Sequence, residues 1–552
     1  MAPYAATRFF MSPRPSSAAR NYSWLISALL ALLLGYLQAC AISWPGSGAA
    51  LWWLQIAATA GLFALLQRSK SARFAGLLGF LFAVAWLCGT VWWLYISLHR
   101  FGGLASPLAA LSVLALCAVL SIYYGLAAVF YKYLSLKYAV KPAWEAIYFI
   151  AFWLMAELAR NSWFTGFPWG ASGYAHIDGP LAPYAPYIGV YGVGALASLL
   201  ACSLAVFLGR AWQARHSDGQ MGRREVRNSA LVYFGSVLFL LCAPYLLPAS
   251  GAGSSASRAP IAVQLLQGNI AQGEKFQVSS GVPDALFWYR LSLMRSSASL
   301  TITPETAIPL LPDELPQGYW LGLQQHYAQS GKAALIGMPL GNVDEGYVNA
   351  VVGLKPSPAA SHYAYFKQHL VPFGEFIPPL FRWFTDLLHI PLGDFNRGDY
   401  AQASFDWNGE RWAPNICYED LFGEELAARF VSAAAPPTVL VNMSNLAWFG
   451  EGAAIHQHRN ISRMRSLELD RSMLRATNTG ATVHINRYGR VVAELATGQR
   501  GVLDAQVQGN DGVTFFASWA GVWGQKPLWL VAFLLLACGQ LAAKVAFLRK
   551  IR

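Results

Sequence analysis

The chain contains seven cysteines, and one of them stands apart chemically. Cys40, Cys88, Cys117, Cys202, Cys242 and Cys538 lie inside strongly apolar runs, whereas Cys417 falls in the polar stretch Trp412-Ala-Pro-Asn-Ile-Cys-Tyr-Glu-Asp420. With no second cysteine in that region, it has neither a disulfide partner nor a set of zinc-ligating thiols to join. Two readings remain: a buried apolar bystander, as cysteine often is, or a nucleophile. Two other strand ends favour the nucleophile. Thr303-Pro-Glu305-Thr-Ala-Ile-Pro puts a carboxylate directly after a strand-like run. Tyr365-Phe-Lys367-Gln-His-Leu-Val-Pro-Phe-Gly-Glu375 puts an ammonium and a second carboxylate in one loop. Singly, each is what a solvated surface charge looks like; together they meet a definite need. The thiolate is the reactive form, so the thiol requires a base. The tetrahedral adduct carries an oxyanion, which a fixed ammonium stabilises. No Ser-His-Asp order stands out as strongly. His456 and His458 are two apart on a helix-like stretch and so point to different faces, with no third ligand evident; no metal is expected.

These residues need a scaffold. From about residue 260 the pattern is one of short apolar runs separated by turns. Strands are expected at Ile261–Gln267, Leu300–Thr303, Ala333–Met338, Val348–Leu354, Trp412–Ile416, Thr438–Asn442 and Ala481–Ile485. Helix-like stretches lie between several of them, at 283–297, 316–330, 422–433 and 454–475. Alternating strands and helices imply a layered α/β domain. Residues 249–259, rich in Ser, Gly and Ala, read as a linker.

The rest of the chain belongs to a different solvent. Of 552 residues 55% are hydrophobic and only 12% charged, with mean hydropathy +0.36, which is unlike an ordinary soluble protein. Eight runs are long and apolar enough to span a bilayer: 24–43, 50–67, 74–98, 105–131, 143–159, 184–209, 229–248 and 526–547. The net charge of +12 does not point to nucleic acid, because the basic residues cluster beside these runs. One alternating set of connections carries Arg8, Arg14 and Arg20, then Arg68, Lys70 and Arg73, then Lys132, Lys137 and Lys141. It continues with Arg210, Arg215, Arg223, Arg224 and Arg227 and ends with Lys544, Arg549, Lys550 and Arg552. The opposite short loops hold little more than Arg100 and Arg160. The positive-inside rule then puts both termini in the cytoplasm and the polar region outside. Leu37-Gln-Ala-Cys40 faintly resembles a lipoprotein processing site, but the run is of span length, so a retained helix is expected.

Three stretches stay open to two readings. Glu157 and Arg160 read as a paired interfacial charge or as functional intramembrane groups. The aromatic- and glycine-rich loop Asn161–Tyr174 reads as an interfacial belt or as a wall of a lipid-facing site. Residues 379–395, with Leu380, Phe384, Leu387 and Leu388 at helical spacing, read as a core helix or as an amphipathic lid over a lipid entrance.

The strand-end Glu305, Lys367 followed by Val-Pro-Phe-Gly-Glu375, and Ile416-Cys-Tyr-Glu419 resemble the Glu-Lys-Cys triad of the nitrilase superfamily, over about 260–510. The layout of spans, the Phe167-Pro-Trp loop, Leu266-Gln-Gly-Asn-Ile270, Asn442-Met-Ser-Asn445 with Trp448-Phe-Gly450, and Arg475-Ala-Thr-Asn-Thr-Gly480 resemble that superfamily's membrane branch, the apolipoprotein N-acyltransferases. Phe276 departs from the pattern, since the family is expected to favour tryptophan there.

The resemblance implies a membrane α-helical bundle of eight transmembrane helices plus an α/β nitrilase-like αββα sandwich. Seven helices would lie in 1–248, the catalytic domain in 260–515 on the periplasmic side of a bacterial inner membrane, and the last helix at 526–547. Glu305 would be the base, Lys367 the oxyanion stabiliser and Cys417 the nucleophile, with no cofactor. Cys417 would take an acyl chain from a membrane phospholipid as a thioester, then pass it to the α-amino group of a diacylglyceryl-cysteine on an apolipoprotein. Glu375, Tyr418 and Glu419 would support this, one glutamate orienting Lys367 and the other helping proton transfer. Phe276, Asn442, Ser444, Trp448 and Phe449 would contact substrate, and a monomer is the expectation. The runner-up keeps the triad but delivers the thioester to water, giving a membrane-bound amidase or nitrilase. A transporter with an exterior sensor domain fits worst, for the spans show few intramembrane charges and no duplication.

Overall fold

The computed structural model describes residues 17–138, 141–216, 220–247, 258–356, 363–377, 395–432 and 435–551. All but the last two residues of the linker 249–259, and nearly all of the stretch 379–395, lie outside these. All eight apolar runs fold as helices: α1 (Ser17–Ile42), α2 (Trp52–Arg68), α3 (Ala72–Val91), α4 (Ser106–Tyr138), α5 (Pro142–Ser162), α6 (Ala185–His216), α7 (Gln220–Cys242) and the last helix, α13 (Lys526–Ile551). Among the described residues, six are long and apolar enough to cross a membrane, namely α1, α3, α4, α6, α7 and α13. Helix α2 is too short at 17 residues, and α5 is interrupted by Glu145, Glu157 and Arg160.

The charged groups of α5 find partners within the protein. Glu145 accepts from Gln67 Nε2 (2.8 Å) on α2. Arg160 is fully buried and donates to Tyr124 Oη (2.9 Å) and to the carbonyls of Phe167 and Trp169 (2.8 Å each). Glu157, also buried, accepts from the Ser172 N–H (3.2 Å). Neither is therefore an interfacial charge: both hold the 163–174 loop. That loop splits between the two readings offered for it, since Trp169 and Tyr174 are buried while Trp163 and Phe164 are exposed.

Beyond the bundle lie two six-stranded sheets. The first runs β12 (Gly501–Val507), β1 (Ile261–Gln267), β2 (Leu300–Ile302), β3 (Ala333–Asn342), β4 (Gly346–Leu354), β5 (Tyr363–Phe366). The second runs β11 (Val491–Glu494), β10 (Val483–Ile485), β9 (Ser472–Thr477), β8 (Val439–Ser444), β7 (Glu410–Ile416), β6 (Phe405–Trp407). The central strands β1–β3 and β7–β9 are parallel and buried on both faces, so they read as continuous apolar runs. Side-chain alternation divides them between two layers. Val263, Leu265, Ile302 and Leu335 meet Trp412, Ile416, Val441 and Leu474 between the sheets. Leu266, Ile336 and Met338 pack outward on α8 (Gly281–Arg295) and α9 (Tyr319–Gln329). On the far side Leu440, Met473 and Val483 meet α10 (Gly423–Ser432) and α12 (Phe515–Trp523). The layers are thus α, β, β, α.

The expected helix 454–475 is a correction. Helix α11 (Ala453–Leu469) ends at Asp470, which takes a left-handed φ of 53°, and the chain returns as β9. A left-handed aspartate replaces the glycine that would have marked the stop. Strands β5, β6, β9, β11 and β12 were not anticipated; most are short, and β12 alternates buried and exposed residues because it is an edge.

Helix α11 ties the sandwich to the bundle. Gln457 Oε1 accepts from the indole N–H groups of Trp93 (3.0 Å) and Trp169 (2.7 Å), and its amide donates to the Thr90 carbonyl (2.9 Å). Helix α6 is kinked at Gly189 (φ 65°), where a side chain would strike the Phe516 ring; the kink frees the Val190 N–H to donate to Glu468 of α11 (2.6 Å). Gln457→Met keeps the side chain's length and removes three hydrogen bonds. It is expected to cost about 2–4 kcal/mol, because the buried indoles and carbonyl lose their partners. The readout is a lower thermal unfolding midpoint in detergent, and an unchanged midpoint would mean that the junction does not depend on Gln457.

Candidate active site

Glu305 leaves β2 through a tight passage. Thr303 Oγ1 accepts from the Gly337 N–H (2.9 Å), and a Cβ on Gly337 would lie 2.2 Å from the Pro304 carbonyl, so only glycine lets β3 run this close. The Glu305 carboxylate is fixed at both oxygens. Oε1 accepts from Asn349 Nδ2 (2.9 Å) and Lys367 Nζ (3.2 Å), and Oε2 accepts from the Asn445 N–H (2.9 Å). Lys367, just after β5, also donates to Glu375 Oε1 (2.8 Å), which accepts from Asn349 as well (3.0 Å). Glu375 in turn accepts from the Val371 N–H (2.9 Å), which folds its loop back on the lysine. A second ammonium, Lys275, donates to the main-chain carbonyl of Glu305 (3.1 Å) and is only 3% exposed.

Cys417 follows β7 with φ 52°, the left-handed region that costs a side-chain-bearing residue roughly 1–2 kcal/mol. A short turn, Cys417–Leu421, holds it there. Glu419 supplies the clamp: its carboxylate accepts from the N–H groups of Ile416 (2.6 Å), Gln368 (2.6 Å) and His369 (3.2 Å) and from Tyr365 Oη (2.9 Å). It thereby joins the turn of Cys417 to the loop of Lys367. Asn442 Nδ2 donates to the Cys417 carbonyl (3.2 Å) and to Asn415 (2.6 Å), and Ser444 donates to Asn442. Beneath them Asp420 accepts from His458 Nε2 (2.6 Å) and Arg475 (3.1 Å). Arg475 also donates to His458 Nδ1 (2.9 Å), which fixes the imidazole as the Nε2–H tautomer.

The electrostatics follow from burial and these partners. Burial, with the Glu305 carboxylate, pushes the Cys417 thiol up to about 12, against the pull of Lys367 and Arg475. Burial alone would raise Glu305, but Lys367, Lys275 and the Asn349 amide hold it below the usual carboxylate value. Burial opposes the charge on Lys367, yet Glu305 and Glu375 keep it well above the ordinary lysine value. Lys275 is brought by burial down to about 8, although Glu305 and Cys417 pull the other way. At rest the site therefore combines a protonated thiol with an ionised carboxylate, the arrangement a base-activated nucleophile requires.

Of the residues singled out in the sequence, Glu305, Lys367, Glu375 and Cys417 come together. Glu419 is saturated with hydrogen bonds, which suits a clamp and leaves no lone pair for proton transfer. Asn442 and Ser444 are fully buried and offer a substrate no surface; they hold the cysteine turn instead. Tyr418 faces the bundle, donating to the Gly166 carbonyl (3.1 Å). Phe449 packs on Trp93 with centroids 4.4 Å apart, whereas Trp448 is 39% exposed, edge-on to Phe101. Phe276 is 55% exposed beside the Lys275 ammonium. The expected lid lies outside the described residues. Sequence reading missed Lys275, Asn349 and Asn445. Lys275 sits in an ordinary polar loop, Asn349 looks like one more polar position in a strand, and Asn445 acts through its main chain. Asn445 did carry a signal, as part of the Asn442–Asn445 motif: its amide joins Gln272 to Asn478, which pairs reciprocally with Ile270.

A cysteine on a strand end beside a Glu–Lys pair, in a two-sheet sandwich, defines a protein of the carbon–nitrogen hydrolase class, and residues 262–513 match that family's model. Residues 34–203 match the model of the apolipoprotein N-acyltransferase N-terminal domain. The apolipoprotein N-acyltransferase of Verminephrobacter eiseniae is 50% identical over 509 residues, covering 90% of this chain and 92% of its own. Those of Ralstonia nicotianae (40% over 516 residues, 92% and 94%) and Bordetella bronchiseptica (39% over 513 residues, 88% and 90%) follow. The chain belongs to the apolipoprotein N-acyltransferase family.

The left-handed turn makes a test of its own. Cys417→Gly is expected to be more stable than Cys417→Ala by about 1 kcal/mol, since alanine bears the left-handed penalty and glycine does not. Equal unfolding midpoints for the two variants would show that the turn is unstrained.

Proposed function

We propose that the protein transfers a fatty acyl chain from a membrane phospholipid, through a thioester on Cys417, to the α-amino group of an N-terminal diacylglyceryl-cysteine on an apolipoprotein. The observation that carries this reading is the union of two features: a buried Glu305–Lys367–Cys417 cluster, and a helix behind it that is hydrogen-bonded into an apolar bundle through Gln457. Each buried methylene contributes about 0.8 kcal/mol, so a long acyl chain leaves a bilayer only at large cost. A catalyst for such chains must bring its nucleophile to the lipid boundary.

In the first half-reaction the Cys417 proton passes to Glu305 and the sulfur attacks the ester carbonyl carbon. Lys367 stabilises the oxyanion. The carbon–oxygen bond then breaks, and Glu305 returns the proton to the departing lysophospholipid oxygen. In the second, the neutral acceptor amine attacks the thioester carbon, Glu305 takes a proton from it, the carbon–sulfur bond breaks, and Glu305 returns the proton to the Cys417 sulfur. Glu375 orients Lys367, Glu419 clamps the two loops, and Trp448 with Phe449 borders the acyl path. No cofactor takes part.

We infer further that all eight apolar helices span the membrane, α2 and α5 tolerating their shortness and charges because they are packed inside the bundle. The membrane domain is then 1–248, the catalytic domain 260–515 and the final span 526–547. The charge asymmetry supports cytoplasmic termini and a catalytic domain on the periplasmic face of a bacterial inner membrane; a monomer is part of the same reading.

Protein purified with phospholipid is expected to show a hydroxylamine-labile fatty-acyl adduct by intact mass, absent in Cys417→Ala. Glu305→Gln and Lys367→Ala should each slow adduct formation by about 10²–10³-fold without loss of membrane insertion. Adduct formation should also fall as pH drops through the Glu305 value, because only the anion is a base and that value lies below the usual one. A soluble amide consumed faster than a lipid ester would favour the hydrolase reading instead.

A further inference from the structure

The site contains a buried cation that the mechanism above does not use. Lys275 lies in the loop between β1 and α8, and its ammonium is fastened to the Glu305 carbonyl at 3.1 Å. Its charge acts on both reacting groups, the Glu305 carboxylate and the Cys417 sulfur. Most charges that face this pocket are paired; the Glu419 carboxylate, which also feels Lys367, is held instead by four neutral donors. Lys367 and Glu375 form an ion pair at 2.8 Å. Arg475 is paired with Asp420 at 3.1 Å. Glu305 shares Lys367 at 3.2 Å, but that one cation already serves Glu375. Without Lys275, Glu305 and Glu375 would share a single ammonium, with little solvent to screen the excess. Buried like charges raise one another's pKa, and a protonated Glu305 is no longer a base.

We propose that Lys275 is a positioning residue for this reaction: its ammonium neutralises the single negative charge that the Glu305–Cys417 pair carries throughout, keeping Glu305 ionised at rest and stabilising the thiolate as it forms. The proton that leaves the thiol arrives on Glu305, so the pair's net charge is the same before and after. Only its location shifts, from oxygen to sulfur, and one cation whose charge acts on both ends serves both states. Lys367 is thereby released to meet the oxyanion of the substrate. The hydrogen bond to the Glu305 main chain fixes the ammonium without occupying the carboxylate, whose oxygens stay committed to Asn349, Lys367 and the Asn445 N–H. The depressed value of Lys275, about 8, leaves it mostly charged at neutral pH.

This inference rests on Glu305 being the base for Cys417, and the test separates the two. The single-turnover rate of Cys417 acylation by phosphatidylethanolamine in detergent micelles is measured by intact mass across pH, for the full-length wild type, Lys275→Met and Lys275→Arg. In Lys275→Met the acid limb is expected to move up by about 1–3 pH units, with at least a tenfold loss of rate on the acid side. Lys275→Arg, which keeps the charge, is expected to return the limb towards the wild-type position. An acid limb in Lys275→Met at the wild-type pH, with a rate lowered equally at every pH or not at all, overturns the proposal, since a merely structural lysine would do that. If Lys275→Met does not accumulate, Lys275→Gln carries the same test. Absence of any Cys417 adduct in the wild type would instead sink the acyl-transfer reading itself.

Discussion

One ammonium bonded to two carboxylates, Lys367 between Glu305 and Glu375, is the interaction on which the rest of the catalytic domain depends. A thioester that must await a second substrate needs a site from which water is largely excluded. Excluding water removes the solvation that carboxylates and ammoniums ordinarily enjoy, and breaking a buried pair of this kind typically costs about 3–5 kcal/mol. The charges therefore have to be hydrogen-bonded on each oxygen, which accounts for Asn349 spanning both carboxylates and for the Asn445 N–H on the remaining Glu305 oxygen. The strand ends of a two-sheet sandwich suit this task because each delivers one side chain on a rigid backbone into a common space.

The same helix serves the nucleophile and the bundle. Along α11, Gln457 turns towards Trp93, Trp169 and Thr90, whereas the next residue, His458, turns towards Asp420 in the cysteine turn. The Trp169 ring lies against His458 with centroids 5.2 Å apart, closing the connection. Because adjacent residues on a helix face different directions, one turn of α11 fixes the height of the thiol relative to the apolar helices. Tyr418 on Gly166 adds a second tie from the cysteine turn itself. The loop after α5 is rigid for the same reason: Arg160 and Glu157, costly inside an apolar bundle, are both spent on its backbone.

Much of this was legible in the chain. The spacing of apolar runs located the eight long helices, and Cys417 could be picked out as the one cysteine in a polar stretch, with Glu305 and Lys367 at two other strand ends. What sequence reading could not reach was whatever depends on tertiary partners. The end of α11 at Asp470 was hidden because a non-glycine residue adopts the left-handed conformation there. Which of Glu375 and Glu419 orients Lys367 was open in the sequence; the structure puts Glu375 on the ammonium and four donors on the Glu419 carboxylate. The resemblance implied that Asn442 and Ser444 contact substrate, yet both are fully buried and Asn442 bonds the Cys417 carbonyl. Lys275 was invisible since nothing in its neighbours tells a buried ammonium from a solvated one.

The resting state of the thiol has a consequence for how long such a site survives. Thiolate, not thiol, is the form that oxidises and alkylates. Burial and the adjacent Glu305 keep Cys417 protonated to about 12, so the sulfur is nearly inert until its proton has somewhere to go. A nucleophile of low pKa, the more familiar device, would be permanently charged and permanently vulnerable. In the mechanism proposed above, the ionised group at rest is the carboxylate, which is chemically quiet, and the reactive anion exists only during the transfer. The left-handed turn complements this, since it aims a neutral sulfur without relying on a charge to hold it. Activation is thus coupled to the presence of an electrophile that can capture the thiolate, and the positive groups around the pair are arranged to make that brief charge migration inexpensive rather than to hold a thiolate in waiting.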